Sequence, residues 1–412
     1  MADDALPFPD RRRPRADRRL AAPDRRRGSF RGGRRASDLI LAAALAGSFA
    51  SAAEAGQGRK AADAGAVRLG RRAGDAVQVT AVPAPTPRDA GAVLSLAPMG
   101  FGVDMASVGK AESQGLPVAY GGFWAGPWNQ KYGWDDADQS LREARKRGVV
   151  PVVNWWYWGD DISPQAVESG VEDRYHHVRK DRAGWTRMSG QLADRIEKAM
   201  GGREAIVVLE TEFNKNGIEG YAPFDDALVE QIRIFHARPG IKVVLGFGNW
   251  GRTSWGRFGK AIAESDLLGI QLLQSSVRDA ATYAKAPETL VSAARFIRSQ
   301  FHKPSMIVDL ALSSYGSHYE ETQAAVMGEL FRRLPELKVA GVEGLMWRAV
   351  SDDPKFDTAN YHGEAERHWG LLRADGSPKP AFEAFTSGVR AEASKTVAVL
   401  LPSGAQAPAG TP

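Results

Sequence analysis

Two carboxylates in this chain end or interrupt apolar runs, where an acid needs a reason to be. In VVLETEFNKNG (residues 207–217) a buried-type run gives way to Glu210 and Glu212, with Asn214 just beyond. A period of two along this run places both glutamates on one face, Glu212 nearer the open end. An acid that closes a buried strand is partly desolvated, which raises its pKa as a general acid requires. Glu210, one layer deeper, reads as a structural hydrogen-bonding group. In KPSMIVDLALSSYG (residues 303–316), Asp309 sits inside an apolar run. An isolated charge there is costly, so it must be ion-paired or functional. Asp104 and the Asp352–Asp353 pair are further strand-end acids; the latter two read as ordinary solvated loop carboxylates.

Aromatic residues gather at the same kind of position. NWWYWGDD (residues 154–161) follows a strand-like GVVPVV and sets Trp155, Trp156, Tyr157 and Trp158 before Asp160 and Asp161. Trp124, Trp250 and Trp347 end other apolar runs, and Tyr315 follows the run that holds Asp309. A sugar ring offers apolar C–H faces for stacking and hydroxyls for carboxylates. Two acids with aromatic walls are what cleavage of a glycosidic bond asks for: one acid protonates the leaving oxygen, the other attacks carbon or activates water. The plainer alternative for NWWYWGDD is an aromatic plug beneath a loop.

Stepping through the chain, about eight short runs rich in Val, Ile and Leu alternate with amphipathic segments over roughly 300 residues. Such alternation implies a parallel sheet covered on both faces, and eight units predict a closed (β/α)8 TIM barrel. An open doubly wound sheet is the alternative. No glycine-rich phosphate turn follows the first strand, which disfavours it. In a barrel, residues ending the strands share one mouth, so Glu212 and Asp309 could meet there.

The surrounding composition narrows the setting. Of the formal charge of +5, all resides in residues 1–55, with 12 arginines against seven acids; the rest carries 42 basic and 42 acidic residues. A neutral body is poor ground for tracking phosphates, so no nucleic-acid partner is expected. Residues 1–55 read as an Arg-rich leader and export signal. The apolar LILAAALAGSFA is shorter than a bilayer span, and ASA or AEA follow as cleavage options. A periplasmic or secreted protein is expected, membrane-bound only if the leader remains as an anchor. Residues 56–92 read as a flexible linker, 93–390 as the barrel, and 391–412 as a disordered tail. With no cysteine, disulfides, thiol catalysis and thiolate zinc sites are excluded. No cofactor or metal is expected, and a monomer is.

From about Pro98 to Phe385 the sequence resembles a clan A glycoside hydrolase, nearest to family 26, the β-mannanase type. The likeness runs through GGFWAGPW, GVVPVVNWWYWGD, TEFNKNG, KPSMIVD and HWGLLRADGSPKPAFEAF. It implies that Glu212 takes the strand-four acid/base place and Asp309, five residues after Pro304, the strand-seven nucleophile place. Trp347 would be the strand-eight tryptophan that floors the sugar subsite. Trp124, Trp155, Trp158, Asn214, Trp250 and Tyr315 complete the expected contacts to a polysaccharide or oligosaccharide. Thr211 stands where the family has His, and Asp309 where it has Glu. Retention is the family's chemistry, but the shorter acid leaves three outcomes open: a rebuilt retaining site, an inverting one, or a non-catalytic carbohydrate-binding barrel in envelope polysaccharide assembly. An Asp309 locked onto an arginine would favour the last.

Overall fold

The computed structural model describes residues 99–157, 181–214, 221–248, 252–275, 280–316, 318–356 and 363–400, with side chains in the last segment to 394. The leader, the linker, Trp158, Asp160, Asp161 and Trp250 lie outside the described residues.

Eight parallel strands close into a barrel in sequence order, β1 pairing with both β2 and β8. They are β1 (Gly100–Asp104), β2 (Tyr120–Ala125), β3 (Val150–Trp155), β4 (Ala205–Leu209), β5 (Ile241–Leu245), β6 (Leu267–Ser275), β7 (Ser305–Ser313) and β8 (Val342–Trp347). Helices α1 (Val108–Ser113), α2 (Trp128–Tyr132), α3 (Asp135–Arg147), α4 (Arg182–Met200), α5 (Pro223–His236), α6 (Gly259–Glu264), α7 (Ala280–Ala284), α8 (Ala286–Phe301), α9 (Tyr319–Arg332) and α10 (Leu334–Val339) fill the crossovers. The last helix, α11 (Pro380–Leu400), follows β8. The expected (β/α)8 barrel is therefore the fold. The end expected at residue 390 is corrected: α11 continues without a break through Leu400. No helix among the described residues is long and apolar enough to cross a membrane.

Strand alternation separates two cores. Val152, Ile206, Val208, Val244, Leu267, Met306, Val308 and Met346 pack inside the barrel, while the alternate residues face the helices in a larger shell. Bulky interior groups need space, which β1 provides by omission: a Cβ on Gly102 would lie 2.3 Å from Met346 Sδ. Helix α3 shows why its segment is helical. Asp135, Asp136 and Asp138 occupy the first turn and Arg145, Lys146 and Arg147 the last, both matching the helix dipole. Gly148 then ends it in the left-handed conformation, at φ 73°, as the sequence suggested.

One irregularity bears directly on function. Ile270 pairs with Ile307, but Gln271 pairs with Asp309. On the other side Ile307 pairs with Leu345 and Leu310 with Trp347. Strand β7 therefore carries one extra residue between Ile307 and Leu310, a β-bulge. Val308 packs in the interior core and Leu310 in the outer shell. Asp309, which strict alternation would turn toward the helices with Ile307, instead reaches the interior residue Gln271. Bulges re-aim side chains in this way.

Candidate active site

Strand β4 stops at Leu209, and the chain turns before the two glutamates rather than running through them. Glu210 has φ 50° and Glu212 φ 62°. These are left-handed conformations that a residue with a Cβ adopts at a cost of about 1–2 kcal/mol. The expectation that a period of two aligns the glutamates is corrected on this point: the turn, not the pleat, sets their directions. Glu210 is buried and accepts a hydrogen bond from the Tyr157 amide at 3.0 Å, tying β4 to the end of β3. Glu212 is 9% exposed. Its amide donates to the Gly246 carbonyl at 2.6 Å. Gly246 must lack a side chain, because a Cβ there would lie 2.7 Å from Thr211 Cα. Thr211 donates to Asn154 Oδ1 at 3.4 Å, a long bond between two buried side chains.

Across the barrel, Asp309 is buried, and its Oδ2 accepts from the Arg348 guanidinium in a close ion pair and from Gln271 Nε2 at 3.3 Å. Burial pushes its carboxyl up from the usual carboxylate range, while Arg348 and then Gln271 pull the other way. Arg348, the residue after β8, lies 4.8 Å from the Trp369 ring centroid and 5.9 Å from that of Trp124. Trp124 in turn meets Trp156 edge-on, with centroids 5.8 Å apart. Asp309, Gln271, Arg348, Trp124, Trp156 and Trp369 thus form one connected cluster at the mouth.

Several expected contacts fall elsewhere. Trp155 is fully buried, stacks 6.4 Å from Trp134 and donates to Ser189 Oγ at 2.9 Å. Its place on β3 points it at the helices, so it is core and cannot meet a sugar. Trp347 is fully buried too, packing 6.1 Å from Phe385 of α11, so it does not floor a subsite. The amide of Asn214 is engaged with Gly248, donating to its carbonyl at 3.0 Å and accepting from its amide at 2.6 Å. It pins the loop after β4 to the end of β5. Trp124 and Tyr315 remain half-buried. Tyr315 lies 5.2 Å from the ring of His368, a tilted pair after β7.

The other strand-end acids are structural. Asp104 accepts from the Ser107 amide at 3.0 Å and caps a short helical turn. Asp352 is not solvated as expected. It accepts from the buried Lys379 ammonium at 2.6 Å and from the Gly370 amide at 2.9 Å, with His368 Nδ1 at 3.5 Å. Lys379 also donates to Ser314 Oγ at 2.7 Å and Gly370 O at 2.9 Å, and burial lowers its pKa despite these partners. Arg348, Gln271, Trp369 and His368 were not read as site residues from sequence. Arg348 directly follows the VEGLMW strand, and that position was the one available signal.

No described protein family and no curated protein matches the sequence. Solved structures do share the fold. A family 5, subfamily 18 glycoside hydrolase from Streptomyces cattleya, solved with GlcNAc, superposes with a TM-score of 0.55 at 14% identity, covering 73% of this chain and 82% of that one. Its counterpart from Bifidobacterium longum subsp. longum gives 0.52 at 14% identity, over 71% and 78%. The exo-β-1,4-mannosidase Op5Man5 from an Opitutaceae bacterium gives 0.51 at 14% identity, over 73% of this chain and 60% of that one. The first two belong to family 5, not to the family 26 that the motifs resemble, and at this identity the likeness is one of fold.

Proposed function

We propose that this chain is a glycoside hydrolase of the clan A type, exported to the periplasm or beyond, that acts on a polysaccharide. The observation that supports the reading is that both acids are buried, Glu212 in the turn that follows the fourth strand and Asp309 within the seventh. The bulge that turns Asp309 inward and the left-handed backbone at Glu212 both support a functional demand, since strained positions concentrate at active sites. In this mechanism Glu212 protonates the leaving oxygen. Asp309 is the anionic partner, either attacking the anomeric carbon with retention or activating water with inversion. Arg348 suits that role, because a guanidinium beside a carboxylate favours its charged form.

The same ion pair favours a second reading, a carbohydrate-binding barrel without catalysis. A carboxylate engaged by Arg348 and Gln271 has less electron density to offer an anomeric carbon. Incubating the full chain with diverse polysaccharides and measuring new reducing ends separates the two. Product release that falls roughly 10²–10⁴-fold in Glu212→Gln, while an activated aryl glycoside is spared, supports the hydrolase. Saccharide binding with no product in the unaltered protein supports the binding barrel and ends the enzymatic reading.

A further inference from the structure

Arg348 gives one nitrogen to Asp309 and holds back a whole edge. Its direction follows from strand parity. Met346 of β8 packs inside the barrel and Trp347 in the outer shell, so the next residue turns inward again. The Arg348 amide donates to the Leu310 carbonyl at 3.0 Å, which fixes this backbone against β7. A guanidinium carries five N–H groups in one plane. Among the described residues only Nη1 is engaged, in the ion pair with Asp309 Oδ2. Nε and Nη2 have no partner among the described residues, and neither is sealed from solvent. The side chain as a whole keeps 11% of its surface open.

That edge has a defined shape. Nε–H and the nearer Nη2–H run parallel on the side of the guanidinium away from Nη1, and such a pair matches the two oxygens of a carboxylate. The rings of Trp369 and Trp124 lie over the guanidinium, their centroids 4.8 and 5.9 Å from Cζ. They take up its faces, use none of its N–H groups and leave its edges for hydrogen bonding. Asp309 does not cancel the cation completely. Its Oδ2 is shared between Arg348 and Gln271, and burial works against its charge. A neutral hydroxyl would take one of the two N–H groups. A ring carboxylate takes both and brings the countercharge that a partly neutralised cation lacks. Half-buried Trp124 offers ring surface beside it for the sugar that carries the acid.

We infer that the Nε–Nη2 edge of Arg348 receives the carboxylate of an acidic sugar, which makes saccharides bearing uronic acids the substrate class of this site. This rests on the reading that the barrel receives a saccharide at all. Lysine at position 348 keeps a cation beside Asp309, but as a point charge on a flexible stem. Arg348→Lys therefore removes the fork and not the ion pair.

Isothermal titration of the full chain and of Arg348→Lys with short oligosaccharides tests the inference, with thermal unfolding of both proteins alongside. The acidic compounds are oligogalacturonates, oligomannuronates and glucuronate-substituted xylo-oligosaccharides. Their matched controls are the same compounds with each carboxyl reduced to an alcohol, and unsubstituted manno- and xylo-oligosaccharides complete the series. The arginines of residues 1–55 are common to both proteins and cannot produce a difference between them. Acidic compounds bound roughly 10-fold or more tighter than their reduced forms, with that margin lost in a folded Arg348→Lys, support the inference. Equal affinity for acidic and reduced forms, a margin that survives in Arg348→Lys, or binding confined to the unsubstituted compounds overturns it and leaves the saccharide reading standing. Where Arg348→Lys does not fold, the acidic and reduced forms compared on the unaltered chain decide in the same two directions. An unaltered chain that binds none of these compounds removes the saccharide reading and this inference together.

Discussion

Asp309 and Arg348 form a pair whose two halves have unequal freedom. Arginine stays charged at any working pH, so the carboxylate is the group that can respond when its partner is lost. Replacing Arg348 with Met should cost roughly 3–5 kcal/mol at neutral pH, because a buried charge is left alone. Burial already holds the folded pKa of Asp309 above its unfolded value of about 3.9 with Arg348 in place, and losing the guanidinium raises it further. A raised folded pKa means stability present at low pH and lost as pH rises through it. The Arg348→Met deficit should therefore shrink between pH 7 and about pH 4.5, read as urea midpoints against the unaltered protein at each pH. A deficit independent of pH would mean that Asp309 is not the group left stranded. At the same scale, Trp155→Ala should lose about 3–5 kcal/mol, the cost of a core indole, since Trp155 is fully enclosed and bonded to Ser189. Wild-type stability in that variant would return Trp155 to the sugar-facing rim.

At the scale of elements, the close approach of β4 and β5 is a sharper test of the mouth than either strand alone. Gly246→Ala places a methyl against Thr211 backbone and should destabilise by roughly 1–3 kcal/mol while shifting the turn that holds Glu212. Saccharide turnover or affinity per folded molecule should fall with it. Lower down, His236 of α5 and Asp266 before β6 pair at 2.8 Å, with Asp266 also accepting from the Val243 amide. The Asp266 hydrogen bond raises the pKa of His236. Asp266 is held below the usual carboxylate range, its partners outweighing burial. His236 thus stabilises below its unfolded pKa and loses that contribution as pH rises through the higher folded one. The Asp266 contribution is present above its own unfolded pKa and lost as pH falls. A proton NMR titration should place the His236 midpoint above that of a free imidazole, and Asp266→Asn should return it.

Much of this level was legible beforehand, because apolar strands, amphipathic helices and Gly148 carry periodic signals that survive without tertiary knowledge. Two features carried none. The bulge at Val308–Asp309 is defined by pairing to β6 and β8, and SMIVDLAL alone reads as an unbroken alternation. The turn after Leu209 is set by Gly246 on a neighbouring strand. Trp155 and Trp347 were assigned to the rim because tryptophan at a strand end can face either way. Strand parity, fixed only when the barrel closes, turned both toward the helices.

Over the whole molecule, closure depends on what seals the junction of β1 and β8. Phe385 of α11 lies 6.2 Å from Phe101 of β1, 5.7 Å from Phe331 of α9 and 6.1 Å from Trp347 of β8. The same C-terminal segment brings Lys379, whose buried ammonium holds Asp352 and Ser314. A chain ending at residue 379 should lose cooperative thermal unfolding, while one ending at residue 394 should keep it. Cooperative melting of the shorter chain would show that the barrel closes without α11. The expected export of the chain is a separate matter that the barrel does not decide; fractionation of cells expressing the full sequence would locate it.

The left-handed backbone at Glu212 has a consequence for how such a chain would respond to selection. Glycine or asparagine would hold the same turn with less strain, so the present residue is not the one that folding alone would choose. Libraries randomised at this position and screened only for heat resistance should drift toward those two residues. Libraries screened for saccharide turnover should retain glutamate, at the expense of heat resistance. A population that drifts the same way under both screens would mark Glu212 as an inherited relic in a barrel that now only binds.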